Sequence, residues 1–103
     1  MELTEQLIGD ASPYIANLVY DIDVRMVFME LVDAPESQRL VRRIVFPGVD
    51  SFHETNLLNQ PDDEAMDDVV SIQRLDTHRV ILTTYKKEIL LHLSEEPFTE
   101  TIE

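Results

Sequence analysis

The longest periodic signal in the chain runs from Tyr14 to Phe28. Ala16, Leu18, Tyr20, Ile22, Val24, Met26 and Phe28 share one parity, while Asn17, Asp21, Asp23 and Arg25 take the other. Side chains alternate between the two faces of a strand, so this pattern predicts β structure. The even-numbered apolar residues are expected to form one wall of the interior. A single strand over residues 15–32 would exceed the usual ~3–10 residues. A turn is therefore expected at Asp21 to Asp23, because Asp side chains bond nearby backbone groups. One long coiled strand is the alternative. Val27, Met29 and Leu31 are apolar too, so the second half should be covered on both faces, by a docked N-terminal helix or a second sheet.

The remaining elements follow from the same reading. Leu3, Leu7 and Ile8 fall on one side of a short helix that Gly9 and Pro13 would end. Residues 33–38 are a loop by composition. Residues 39–46 alternate as a strand that stops at Pro47, and Gly48 supplies the corner. Arg42 falls on an apolar face of that strand and should reach the rim or pair with an acid. Val49 and Phe52 return to the core. Residues 60–68 break the pattern. Residues 69–75, 79–85 and 88–93 read as an antiparallel meander, turning at residues 76–78 and at Lys86 and Lys87. In the tail, Phe98 is a pin and Pro97 should block regular pairing. The sum is a mainly β chain of five to six antiparallel strands with at most one short N-terminal helix. A small sandwich or partly open barrel is the expected architecture, and α+β is the alternative.

At 103 residues the chain is expected to be one domain, residues 1–103. Charge is the unusual quantity: 21 acidic against 8 basic residues, net −13. Residues 61–68 form an acidic loop of −5 and residues 94–103 an acidic tail of −4, whereas residues 69–93 carry +2. Such a field repels phosphate polymers, so no nucleic acid is expected as a partner, and it attracts basic ones. There is no cysteine, hence no disulfide and no thiolate metal site. No apolar run reaches the ~18 residues of a membrane span, and the first residues lack the basic and apolar regions of a signal peptide. A cytoplasmic protein without membrane contact is the expectation.

Candidate chemistry is sparse. His53 lies beside Glu54, but neighbours on a strand point to opposite faces. His78 and His92 complete the histidines, and their spacing fits no metal motif. Asp62, Asp63, Glu64, Asp67 and Asp68 lack the alternation and central glycine of an EF-hand, so a solvated acidic loop is expected rather than a calcium site. No phosphate-binding glycine loop is possible with two glycines, and no nucleophile elbow exists around any serine. No catalytic residue, cofactor or metal is expected.

Residues 39–52 follow the pattern R-L-V-x-x-I-V-F-x-G-V-x-x-F. With Tyr20-Asp21 and the closing strands of residues 80–93, they resemble small bacterial β-rich domains, some grouped with toxin-immunity proteins. The resemblance implies a single-domain bacterial protein acting by binding, as an inhibitor. The leading expectation is thus a non-enzymatic protein–protein interaction module. Asp21, Asp23, Asp62, Asp63, Glu64, Asp67 and Asp68, with the tail, would dock on a basic protein. Were that partner a nuclease, the acids would stand in for its phosphates. One alternative is a homo-oligomer sealed through a strand edge or through residues 27–31. The other is an enzyme or small-ligand carrier using His53, Ser51 and Tyr85.

Overall fold

The computed structural model describes residues 2–35, 37–58 and 67–102. Among them are one helix, α1 (Thr4–Ile8), and eight strands. The strands are β1 (Ile15–Asp21), β2 (Met26–Val32), β3 (Leu40–Phe46), β4 (Val49–Asn56), β5 (Val69–Arg74), β6 (Arg79–Thr84), β7 (Lys87–Leu93) and β8 (Phe98–Thr101). They form two antiparallel sheets, ordered β1-β2-β3-β8 and β4-β7-β6-β5. This is the expected mainly β architecture with one short helix, in two layers and without a closed barrel. The strands outnumber the five or six read from sequence because the polar run after Phe52 and the tail both pair. Pro97 does not block pairing in the tail: it precedes β8, whose residues Phe98 to Thr101 bond to β3.

The expected turn exists and decides the core. Residues 22–25 are a turn, and the Asp21 carboxylate accepts from the N–H of Asp23 at 3.0 Å and of Val24 at 3.4 Å. Asp21 then faces Met26, Tyr20 faces Val27 and Leu18 faces Met29. Even numbers on β1 therefore share a face with odd numbers on β2. Val27, Met29 and Leu31 are fully buried, with Leu18 and Tyr20 packed against that core. The expectation of one even-numbered wall from Ala16 to Phe28 is corrected here. It holds for Leu18 and Tyr20 and inverts after the turn. Ile22 at 71% and Val24 at 51% are exposed at the tip, and Phe28 lies on the outer face.

The second sheet covers the inner face of the first. Val80, Leu82, Ile89, Leu91 and Ile72 are fully buried against Phe46, Ile44 and the β2 residues. Each such side chain contributes about 1.5–3 kcal/mol relative to exposure. The N–H of Ile15 donates to Asp67 O at 2.9 Å and that of Val69 to Pro13 O at 2.9 Å, which fixes the start of β1 to the start of β5. Five residues later, Tyr20 stacks on Phe52 of β4, ring centroids 4.7 Å apart. β5 and β4 are opposite edges of one sheet, separated by three gaps of about 4.8 Å. β1 must therefore cross that sheet from edge to edge, so the layers pack at a steep angle.

Helix α1 closes one end of the sandwich with Leu3, Leu7 and Ile8. At five residues it cannot stand alone and is held from below. Arg42 is half-buried and pairs with no acid among the described residues. Its guanidinium donates to the carbonyls of Ile8 and, at 3.4 Å, Leu7, where the helix dipole favours a cation. The turn of α1 thus supplies acceptors for one end of the guanidinium, while the buried Arg42 Nε has no partner among the described residues.

Gly48 passes the chain from the first sheet to the second. Its φ is +61°, and its carbonyl accepts from the N–H of Ser94 at 2.8 Å. A β-carbon there would collide with Ser94 Oγ and sit 3.1 Å from Glu95 N. Gly48→Ala is expected to destabilise the fold by about 1–3 kcal/mol, through both left-handed strain and that collision. Urea unfolding of the two proteins measures it, and an unchanged midpoint would contradict this account of the corner.

Candidate functional site

The outer face of the first sheet is organised by register. Val19 faces Phe28, Phe28 faces Val45, and Val45 faces Phe98. One apolar side chain from each of the four strands therefore lines up across the whole face. Val45 is only 2% exposed between its neighbours, whereas Val19 at 52% and Phe98 at 45% stand open. On the same face, two residues along each strand, lies a second row: Asn17, Glu30, Arg43 and Glu100. Asn17 Nδ2 donates to Glu30 Oε1 at 3.1 Å, and Arg43 pairs with Glu30 at 3.3 Å and with Glu100 at 3.6 Å. The Arg43 guanidinium also sits 5.9 Å from the centre of the Phe28 ring, within cation–π range. Between the rows opens a concavity of about 260 Å³, lined by Val19, Phe28, Glu30 and Arg43.

The arrangement suits side-chain docking rather than bond-breaking chemistry. Two carboxylates share one guanidinium, so the polar row keeps a net negative charge. Asp21 bounds the apolar row on the other side, opposite Met26. An apolar strip with acidic margins matches the anatomy of a binding patch.

The acids singled out from sequence are dispersed. Asp21 caps its own turn and Asp23 is exposed at the tip. Asp67 is engaged within the fold: it accepts from Thr84 Oγ1 at 2.8 Å, from the N–H of Lys86 at 3.0 Å and from the N–H of Asp68 at 3.0 Å. Asp68 is half-buried, bridged to Tyr14. Asp67 and Asp68 meet the start of β1 and Asp21 ends it, so about 20 Å of strand separates them. Asp62, Asp63 and Glu64 lie outside the described residues. Sequence reasoning missed the Val19–Phe28–Val45–Phe98 row. Its signal was present: residues 26–32 and 44–46 are apolar in both parities, more than one interior face can use.

The histidines are divided. His53 is exposed on β4, and Glu54 turns to Lys87 at 3.1 Å. His92 stacks on His78, centroids 5.4 Å apart, and lies 3.4 Å from Asp50, which also meets Arg25 at 3.8 Å. Ser51 is opposite His92 in the β4–β7 register, and no side-chain hydrogen bond joins the two. Tyr85 is exposed beyond the end of β6, beside Asp68. Among the described residues no three histidine or carboxylate groups are placed to hold a metal ion, and no helix is long and apolar enough to cross a membrane.

Comparisons with family models, with curated proteins and with solved structures give no match.

The His78 turn carries the strongest carboxylate perturbation. Asp76 is pulled down from 3.8 to about 2, first by the N–H of His78, then by the Arg79 side chain and the Arg79 N–H. A carboxyl depressed in the folded state adds stability that is complete above its unfolded value. That stability disappears as pH falls from about 4 towards 2. Carbon-detected NMR titration should find the Asp76 midpoint at about 2, well below the ordinary aspartate value of 3.8. Asp76→Asn should flatten the loss of stability across that window, and a midpoint near 4 for Asp76 would refute the assignment.

Proposed function

We propose that this chain is a non-enzymatic interaction module whose outer first-sheet face docks a basic protein. The observation that carries the reading is the apolar row Val19–Phe28–Val45–Phe98 with acidic residues at both margins. Burial of the open ends of that row supplies affinity. The margins Asp21, Glu30 and Glu100, with Asp23 at the adjoining tip, select a positively charged surface. The net charge of −13 accelerates encounter with such a surface and opposes pairing of two copies through this face. The resemblance to toxin-immunity domains agrees with this reading, the partner then being a basic toxin inhibited by occlusion. Action in the cytoplasm is consistent with a chain that has no cysteine.

Residues 27–31 offer less for self-association. β2 lies between β1 and β3, and Val27, Met29 and Leu31 are already buried. An enzyme using His53, Ser51 and Tyr85 finds no support in the geometry, since Ser51 and His53 sit on β4 and Tyr85 lies past β6, two strands away.

The test is capture of a partner from the host by the tagged chain, followed by measurements on the purified pair. Association should slow steeply between low and high salt. Val19→Ser with Phe98→Ser should weaken binding by at least about tenfold, because both ends of the strip are truncated. The folded state should survive, both side chains being half exposed. A partner that binds the double variant as tightly as the parent, or at a rate indifferent to salt, would defeat the proposal.

A further inference from the structure

β4 is the longest strand in the molecule, and it is an edge. Its hydrogen-bonding direction is fixed by two bonds. The N–H of Leu57 donates to Lys86 O at 2.9 Å, so residue 57 points toward β7. In an antiparallel ladder every second residue points the same way, so Thr55 and His53 do too. The N–H of Leu93 donates to His78 O at 2.7 Å, so Leu93 points away from β4 and His92 and Leu90 point toward it, which agrees. Phe52, Glu54 and Asn56 therefore direct their N–H and C=O groups outward. Among the described residues no backbone group pairs with them.

Unpaired edges are usually protected by proline, lysine, a bulge or a cover. Residues 51–56 contain neither proline nor lysine, and their register against β7 is unbroken. The bulge lies upstream, between Val49 and Ser51. A second feature marks the same edge. The Tyr20–Phe52 stack, half-buried, lies where β1 passes β4, so the core is incomplete on this side. A strand added here would satisfy the three outward residues and place every second side chain over that stack.

We propose that the edge of β4, unpaired among the described residues, accepts an extended, basic segment of a partner as an added strand. The occupant is apolar on the face that meets the Tyr20–Phe52 stack and carries lysine or arginine on the other, as the net charge of −13 favours. A second copy of this chain is the wrong occupant, because it carries the same net charge of −13. The interface is separate from the outer face of the first sheet and does not depend on the reading given to that face. Strand addition gains affinity from the main chain and specificity from alternate side chains.

Amide hydrogen exchange on the intact protein tests this, with a heptapeptide of alternating lysine and valine as the probe. In the free protein the amides of Phe52, Glu54 and Asn56 should exchange fast and those of His53 and Thr55 slowly. At saturating peptide the first three should slow by at least about tenfold while His53 and Thr55 stay unchanged. A glutamate–valine heptapeptide should give no such protection. Glu54→Pro removes an N–H that no ladder bond uses, so it should fold and lose the alternating protection, whereas Glu54→Gln should keep the alternation with weaker binding. Three outcomes would overturn the proposal: Phe52, Glu54 and Asn56 already slow in the free protein, protection without alternation, or protection confined to the Val19–Phe98 face. The wild-type exchange pattern decides the matter even if Glu54→Pro fails to fold.

Discussion

The turn between Asp21 and Met26 sets which side chains of the first sheet face inward. It has four residues, and the pleat has a period of two, so its length alone determines the parity carried from β1 into β2. One residue more or fewer would send Val27, Met29 and Leu31 to solvent and bring Phe28 inside. The turn is held by the Asp21 carboxylate and by Arg25, a non-glycine residue at φ +56°. That conformation costs on the order of 1 kcal/mol or more. It persists because the N–H of Val49 bonds to the Arg25 carbonyl at 2.8 Å, which fastens the turn to the second sheet.

From that parity the surface follows as directly as the core. Once the odd residues of β2 are inside, Phe28 must be outside, and the β2–β3 register sets Val45 beside it. The tail then adds Phe98, and the row spans the sheet. Burying an apolar strip gains roughly 25 cal/mol per Å², so leaving one open forgoes stabilisation that a cover would supply. The polar row alongside is fully engaged within itself, from Asn17 to Glu100. The face is therefore rigid in its charges and open in its apolar part.

Much of this was legible in the sequence, and what was not has identifiable causes. Helix, turn, corner and meander follow from local pattern, and α1, residues 22–25, Gly48 and β5 to β7 are found where that pattern puts them. Arg42 was misjudged because its acceptors, the carbonyls of Leu7 and Ile8, are some 35 positions away in the chain. β8 was missed because Pro97 speaks against a strand locally, whereas the free side of β3 supplies the partner. The two-sided apolar runs of residues 26–32 and 44–46 hinted at a second apolar face, but the row itself needs register, since it draws one residue from each of four strands. Asp67 bonds Thr84 and Lys86 within the fold, a use that composition cannot distinguish from solvation.

The two surfaces differ in what limits them. The outer face presents side chains, because strand backbone groups lie in the plane of the sheet, so anything that docks on it meets side chains. The β4 edge offers main-chain donors and acceptors at Phe52, Glu54 and Asn56, which any extended chain could use, so selectivity must come from elsewhere. Net charge provides it. At −13 the field discourages acidic strands, including those of further copies of the chain, from an edge that would otherwise invite indiscriminate pairing. The same excess of carboxylate on which the proposed basic partner relies thus also opposes pairing of like-charged strands at this edge.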